Sequence, residues 1–442
     1  MRGIEAALKV LTSDVTGPFA SEALRKLADH EGMKASDISL ASSLVYIVMR
    51  RKELWEKIAG RFLTRGEKLP PQVMMSILVG TGGLLELRRF SGGVLVNGIL
   101  DTLKRNKSLA RYASLVNAVL RKITESGEEL MRRYREAKTI EDKAVYSGVP
   151  LWTLPAWGRT WTKQELSELF ALMNQPSYAS LRVAPGKREE LLTLLEASGI
   201  RAQPSDITDS LRLNESILPA KVPGYSEGLF TVQSEGSTLA ASLVKKFYEG
   251  GKVLDMCSGR GVKSAQILQE CEGSNVECWE ISERRIKSAE AELSRLGLSE
   301  RAVLRAGDAV NLTTEGEAPS FVVLDAPCSC SGTWTRKPES KWRLDWQKLD
   351  SLSALQKKLL GHAVKVCKPG GYVLYITCSL LKPENENVVA EVLAANPECA
   401  EVSNLIDWDS RFCRRGKPYG AYIWPVNSWL DGFYCSLILR RK

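Results

Sequence analysis

The chain has 442 residues, 44% of them hydrophobic and 26% charged, so at roughly 150 residues per domain it should form two or three folded units rather than one small domain or a disordered polymer. Its net charge of +9 is unevenly placed: residues 1 to 125 carry 20 Lys+Arg against 12 Asp+Glu, and the rest carry 41 against 40. Such a front suits a polyanion, because basic groups gain from releasing the counterions condensed on phosphate, although charge alone equally allows a merely solvated surface.

The first residues carry Arg2, Glu5 and Lys9 with no apolar stretch between them, so no secretory leader is expected. In residues 36–51, Ser36 and Asp37 precede Ile38, Ala41, Val45 and Val48, an apolar stripe at three- and four-residue steps that predicts an amphipathic helix. Similar spacing recurs in Leu54, Ile58 and Phe62, in Val73, Ile77 and Leu78, and in Leu115, Val116, Val119 and Leu120. The uncharged run 69–85 holds Pro70, Pro71, Gln72 and three glycines, too broken for a spanning helix, so no membrane segment is expected and the cytoplasm is the expected compartment. Residues 1–125 therefore read as an all-helical domain.

Residues 126–150 are charged and helix-prone, and the texture changes at Pro150-Leu-Trp-Thr-Leu-Pro-Ala-Trp157. A strand at 180–183 and a helix at 188–197 follow, so residues 126–235 read as a connector and a small α/β piece. Its tryptophans are expected to anchor a core. From Gly251 onward the strand-length runs 252–255, 276–280, 302–304, 321–325 and 372–377 alternate with helical segments such as 282–294 and 351–367. That rhythm predicts βαβ units and a doubly wound sheet over residues 236–442. Ligands bind beyond the carboxyl ends of such strands, where Asp255, Glu280, Asp325 and Cys378 fall.

Asp255-Met-Cys-Ser-Gly-Arg-Gly-Val-Lys-Ser264 is a strand end, a Gly-x-Gly loop and a helix start. It lacks the P-loop glycines and the third glycine of a dinucleotide fingerprint. Glu280 is suited to accept ribose hydroxyls and Asp308 an adenine amino group, so a nucleoside cofactor without pyrophosphate fits, S-adenosylmethionine rather than NAD. All ten cysteines lie after position 250 and are expected to be free thiols; no Cys-x-x-Cys occurs, and no metal site is expected. Only two histidines, His30 and His362, leave little imidazole for a Ser-His or Cys-His hydrolase. Asp325-Ala-Pro-Cys-Ser-Cys-Ser-Gly332 and Tyr375-Ile-Thr-Cys-Ser379 instead set two cysteines and an aspartate at strand ends, which suggests thiolate chemistry.

Those two motifs, with Arg336-Lys-Pro338, Lys341-Trp342, Glu384-Asn-Glu386, the terminal Asp431-Gly-Phe-Tyr434 and Leu115-Val-Asn-Ala-Val-Leu-Arg121 at the front, resemble the RsmB (Sun/Fmu) family of RNA cytosine-5 methyltransferases. The resemblance implies an all-α NusB-like RNA-binding domain (1–125), a small α/β connector and RNA-binding subdomain (126–235), and an α/β Rossmann-like class I S-adenosylmethionine-dependent methyltransferase domain (236–442). It implies Cys378 as the nucleophile that adds to carbon 6 of cytosine, Asp325 as the group at ring nitrogen 3, and Cys328 as an aid to removal of the carbon 5 proton. It places the cofactor against Cys257, Ser258, Gly259, Arg260, Gly261, Val262, Lys263, Glu280, Asp308 and Asp325. The implied partner is 16S rRNA, with neither DNA nor a membrane, and the expected state is a monomer. A transfer-RNA methyltransferase on the same scaffold and a noncatalytic assembly or antitermination factor are the alternatives.

The loop departs from the family's Ala-Pro-Gly-Gly-Lys-Thr, with Arg260 for Pro, Val262 for Gly and Ser264 for Thr, and Glu280 replaces the commoner Asp. Cys330 and Ser331 stand where small residues and Thr are usual, so Cys330 is expected to be a bystander. Arg336, Lys337, Lys341 and Arg343 are expected either to contact phosphate or to form a solvated charged loop.

Overall fold

The computed structural model describes residues 2–13, 20–64, 68–87, 91–175, 178–215 and 217–442. They form two compact units, Met1–Asn174 with Lys337–Leu344, and Gln175–Arg336 with Asp345–Lys442.

The first unit is helical, built on Arg2–Thr12, Ala20–Glu31, Ala35–Ala59, Pro71–Glu86, Gly92–Arg105 and Ala113–Arg135, followed by Ile140–Tyr146 and Lys163–Met173. Ala41, Val45 and Val48 of the expected stripe are buried with Leu44 and Trp55, and Ile38 packs on the same core. The uncharged run becomes the helix Pro71–Glu86, whose Val73, Ile77, Leu78 and Val79 are fully covered. Its lack of charge is what a helix surrounded by other helices requires, and among the described residues no helix is long and apolar enough to cross a membrane.

Helix Ala35–Ala59 is broken at Arg51 (φ −136°, ψ 37°), and the break frees carbonyls that segment Lys337–Leu344 uses. The Lys341 ammonium donates to the Arg50 carbonyl oxygen at 2.7 Å and the Trp342 indole N–H to that of Met49. Lys341 is therefore neither a phosphate contact nor part of a solvated loop. Burial, reinforced by Arg50 and Arg51, pushes its pKa down to about 7. The spacing of charges along 336–343 gave no sign of this, because the acceptors lie nearly 300 positions earlier.

The second unit contains two sheets. The smaller is antiparallel, from β1 (Ser180–Val183), β2 (Ala202–Pro204), β3 (Ser210–Leu213) and β4 (Phe230–Val232) in the order β2-β3-β1-β4, and helix Arg188–Ala197 buries its Leu191 and Leu195 in one core with Leu181 and Leu211. The larger uses β5 (Lys252–Asp255), β6 (Asn275–Glu280), β7 (Ala302–Ala306), β8 (Phe321–Asp325), β9 (Tyr372–Thr377), β10 (Cys399–Glu401), β11 (Cys413–Arg415), β12 (Ala421–Ile423) and β13 (Phe433–Arg440). Its order is β11-β12-β13-β9-β8-β5-β6-β7, with β10 paired to the end of β13. The strands from β7 to β9 are parallel, as the alternating pattern predicts, and β13 then runs antiparallel to β9 from Tyr434↔Thr377 to Leu439↔Tyr372.

Strand β5 lies between β6 and β8, so the chain leaves it in opposite directions and a crevice opens at its carboxyl end. A buried polar seam joins the smaller sheet to the helices of the larger one. The Arg182 guanidinium donates to Gln233 at 2.7 Å and to Gln269, and Arg212 holds Glu235 through two hydrogen bonds at 2.5 and 2.8 Å.

Candidate active site

The glycine loop leaves β5 at Asp255 and turns on two residues in the left-handed region, Gly259 (φ +60°) and Gly261 (φ +74°). A side chain at Gly261 would also press on Ala289, whose Cβ would be 3.1 Å away, so glycine is required twice over there. The turn closes through the Gly261 N–H on the Ser258 carbonyl and is tied to β6 by the Ser258 N–H on the Trp279 carbonyl, both at 2.9 Å. Arg260 is exposed at its tip, and Val262 opens helix Val262–Glu270. The atypical residues thus sit where their side chains leave the backbone turn unobstructed. Cys257 is held protonated by burial and the charges of Asp255 and Asp325, which leaves it inert as a nucleophile.

Around this loop stand three carboxylates. Glu280 is buried at the end of β6 and accepts the Ser282 N–H at 2.8 Å. Asp308 is exposed and accepts the Val310 N–H at 3.0 Å. Asp255 takes the Ser264 hydroxyl on Oδ2 at 2.6 Å, while Oδ1 is buried with no hydrogen-bond partner among the described residues. Desolvation, offset in part by Ser264 and added to by Asp325, pushes Asp255 up to about 6. Beside Glu280, Ile281 is 70% exposed. The loop, the carboxylate set, an unanswered buried acceptor and an apolar side chain turned to solvent together match the parts of an adenosine bearing a cationic amino acid. Sequence reasoning placed Asp255 at a strand end without assigning it to the cofactor and did not single out Ile281; the signal for the second was an isoleucine directly after a strand-end acid.

The neighbouring strand ends bring the other expected residues together. Asp325 ends β8 and receives the Lys263 ammonium at 2.6 Å. Burial alone would lower Lys263, but the charge and hydrogen bond of Asp325, and then the charge of Cys378, raise it. Cys328 and Cys378, after β8 and β9, have their sulfurs 3.4 Å apart. Hydrogen bonds to Cys330 and Cys378, together with burial, hold Cys328 well above the usual thiol range. Cys328 is thereby held in its thiol form.

A frame of buried polar groups sets this spacing. The Glu384 carboxylate accepts the Ser329 N–H at 2.8 Å, the Ser329 and Ser379 hydroxyls at 2.5 Å each, and the Gln356 amide at 3.1 Å. Ser329 and Ser379 directly follow the two cysteines, so one carboxylate clamps both loops. Gly332 donates its N–H to the Cys378 carbonyl and accepts from Gly432, both at 2.9 Å. A Cβ on Gly332 would lie 2.1 Å from the Gly432 oxygen. The backbone approach needed to bind Asp431-Gly-Phe-Tyr434 to the cysteine loops thus excludes any larger residue at 332. Arg336 belongs to this frame rather than to a phosphate site: it donates to Asp431 at 2.9 Å and to the carbonyls of Tyr178, Ser428 and Trp429. Glu384 appeared in the sequence only as part of a recognisable motif, and nothing local indicated that it would reach both loops.

Comparison with known proteins agrees with this architecture. A family model described as 16S rRNA methyltransferase RsmB/F matches residues 243–439, and one described as NusB family matches residues 4–125. Ribosomal RNA small subunit methyltransferase B of Pseudomonas putida is 31% identical over 349 residues, 78% of this chain and 76% of that protein. The protein of the same name from Vibrio cholerae is 28% identical over 421 residues, 94% of this chain and 92% of its own length. Among solved structures, PH0851 shares the fold over 99% of this chain and 98% of its own at a TM-score of 0.78 and 24% identity. NSun6 from Pyrococcus horikoshii, solved with SFG, does so over 66% of this chain and 98% of its own at a TM-score of 0.58 and 17% identity. With a helical NusB-family front, a parallel sheet carrying the glycine loop and paired strand-end cysteines, the chain belongs to the RsmB/F family of 16S rRNA methyltransferases.

Proposed function

We propose that the protein transfers a methyl group from S-adenosylmethionine to carbon 5 of a cytosine in 16S rRNA through a transient bond between Cys378 and carbon 6. The observation that carries this reading is the placement of two sulfurs 3.4 Å apart at adjacent strand ends, beside the Lys263–Asp325 pair. Carbon 5 of cytosine is too weak a nucleophile to take an alkyl group unaided, so covalent activation is needed.

Cys378 is the sulfur suited to add to carbon 6, because Cys328 retains its proton and the Lys263 cation interacts with Cys378. The new sulfur–carbon bond moves the ring's electron pair toward carbon 5, and Asp325 supports the proton at nitrogen 3. When bound, the cofactor supplies an electrophilic methyl on sulfonium sulfur, which the activated carbon 5 takes. Cys328 then assists removal of the carbon 5 proton; the electron pair left behind restores the double bond and expels Cys378 as thiolate. Glu280 and Asp308 would hold the ribose and adenine, Asp255 the ammonium, and the loop from Cys257 to Lys263 would pass beneath them. The surplus of basic residues in 1–125 supports a role for that part in holding flanking RNA, since an attacked base must first be unstacked from its neighbours.

The test traps the intermediate. With 16S rRNA transcript and cofactor, Cys328→Ala is expected to accumulate a denaturant-resistant protein–RNA adduct and Cys378→Ala to form none. The reverse pattern would exchange the two roles, and no adduct with either would refute covalent activation.

A further inference from the structure

In the proposed reaction Cys330 acts on the base only through its hydrogen bond to Cys328, yet its sulfur and those of Cys328 and Cys378 all lie within 4.8 Å of one another. The local chain brings it there deliberately. Cys330 takes the left-handed conformation (φ +57°) that side-chain-bearing residues seldom adopt, and the Thr333 N–H and hydroxyl hold its carbonyl at 2.9 and 3.0 Å. The Gly332 N–H on the Cys378 carbonyl fixes the turn against the next strand end.

A tetrahedral zinc ion with Zn–S bonds of about 2.3 Å spaces its sulfurs about 3.8 Å apart. The separations here, 3.4 Å for one pair and no more than 4.8 Å for the others, need adjustments of only about 1 Å. The fixed cation beside the cluster, Lys263, is compensated by Asp325 at 2.6 Å. We propose that Cys328, Cys330 and Cys378 form a capture site for a thiophilic d10 cation, zinc above all, with the fourth position left to water or another small ligand. Binding forms three metal–sulfur bonds, releases the thiol protons to solvent and involves no change of oxidation state. The usual zinc spacing is missing from the sequence because the third ligand comes from the neighbouring parallel strand. Occupancy would remove both sulfurs from the reaction and so inhibit it; that consequence rests on the proposed function, whereas the binding does not.

Full-length reduced protein titrated with zinc alone against a chromophoric chelator should take one tightly held ion. Cadmium alone should give a thiolate-to-metal absorption band in the ultraviolet. Cys330→Ser is expected to weaken zinc binding about 100-fold, at least what loss of a mere supporting partner can cost. Measured against its own metal-free methyl-transfer rate, it should require correspondingly more zinc for inhibition, with Cys330→Ala behaving alike. Equal zinc affinity in the parent and both variants would overturn the site, as would an unaltered cadmium band in the Cys328→Ala, Cys378→Ala double variant. Zinc held at these sulfurs without inhibition would support the metal site and refute instead the assignment of Cys378 to the reaction.

Discussion

The two stretches of the larger sheet's carboxyl edge are finished in opposite ways. After β8 and β9 most polar groups are answered within the protein: Glu384, Ser329, Ser379, Gly332, Gly432 and the Gln356 amide N–H close a frame of hydrogen bonds around the cysteines, with Gln356 Oε1 left without a partner among the described residues. After β5, β6 and β7 it leaves them open, with Asp255 Oδ1 unanswered, Asp308 exposed and Ile281 turned to solvent. The difference teaches how the labour is divided. Groups proposed to make and break bonds are held in place beforehand, while the groups proposed to hold the cofactor would be completed by it. Substitutions in the first stretch should therefore lower the rate of the chemical step, and those in the second should weaken cofactor binding.

The sharpest way to break that division is at the proposed nucleophile. Cys378→Ala should lower methyl transfer by about 10⁴-fold or more, as loss of a covalent nucleophile does elsewhere, while cofactor affinity measured by calorimetry stays within about 2-fold because the interactions lost are those of the reacting ring. A comparable loss of affinity would show that the two stretches are not separable.

Glu384→Gln tests positioning without removing a reacting atom. The amide keeps the shape, but its NH2 group only donates, so either the Ser329 and Ser379 hydroxyls must turn from donors into acceptors or the Ser329 N–H loses its acceptor. A shift of the sulfurs by even 1 Å is worth about 100-fold. The expected result is a fall of that order in kcat with KM for RNA and cofactor affinity little changed, and Glu384→Asp should recover less than the parent because it is too short to span both loops. A stability change alone, with kcat intact, would reduce Glu384 to a folding role.

These contrasts also show what the sequence could and could not reveal. The parallel strands were legible because most are short apolar runs with an acid or a cysteine at or just after their ends, and Asp255, Glu280, Asp325 and Cys378 do fall at the edge of the sheet. The antiparallel addition was not: β10, β11 and β12 have three residues each, too few for an alternation to register, and in the eight residues of β13 six successive side chains are buried, so no alternation marks it either. Lys341 and Arg336 looked like phosphate ligands because a charge in a loop carries no mark of what it will meet; both are engaged by carbonyls or carboxylates far away in the chain. Glu384 and Cys330 share that lesson, since their roles follow from strand adjacency.

At the open stretch, Asp255→Asn should weaken cofactor binding by about 10- to 100-fold, the worth of a hydrogen bond to a charged group. The pH dependence sharpens the point. Asp255 is raised from 3.8 to about 6 by burial, so its neutral form stabilises the unliganded fold fully below pH 3.8 and this contribution is lost as pH rises through about 6. An ammonium ligand prefers the carboxylate, so affinity should be full above pH 6 and decline below it. The Asn variant should lack that decline, even though Lys263, Asp325 and Ser264 remain around it. An unchanged profile would mean that another group titrates.

The smallest effect is the one most diagnostic of a ligand. A large apolar side chain 70% exposed costs the unliganded protein nothing when shortened, so Ile281→Ala should leave the melting temperature within about 1 °C, as for a surface substitution. If an aromatic face of the cofactor covers Ile281, the lost apolar area should weaken binding by about 1 kcal/mol, or about 5-fold, with kcat at saturating cofactor unchanged. Calorimetry should also show a less negative heat-capacity change, since that quantity tracks apolar burial and not the number of hydrogen bonds. If affinity and heat capacity both stay as they were, Ile281 is not covered by ligand, and the apolar part of the open stretch must be sought on another residue.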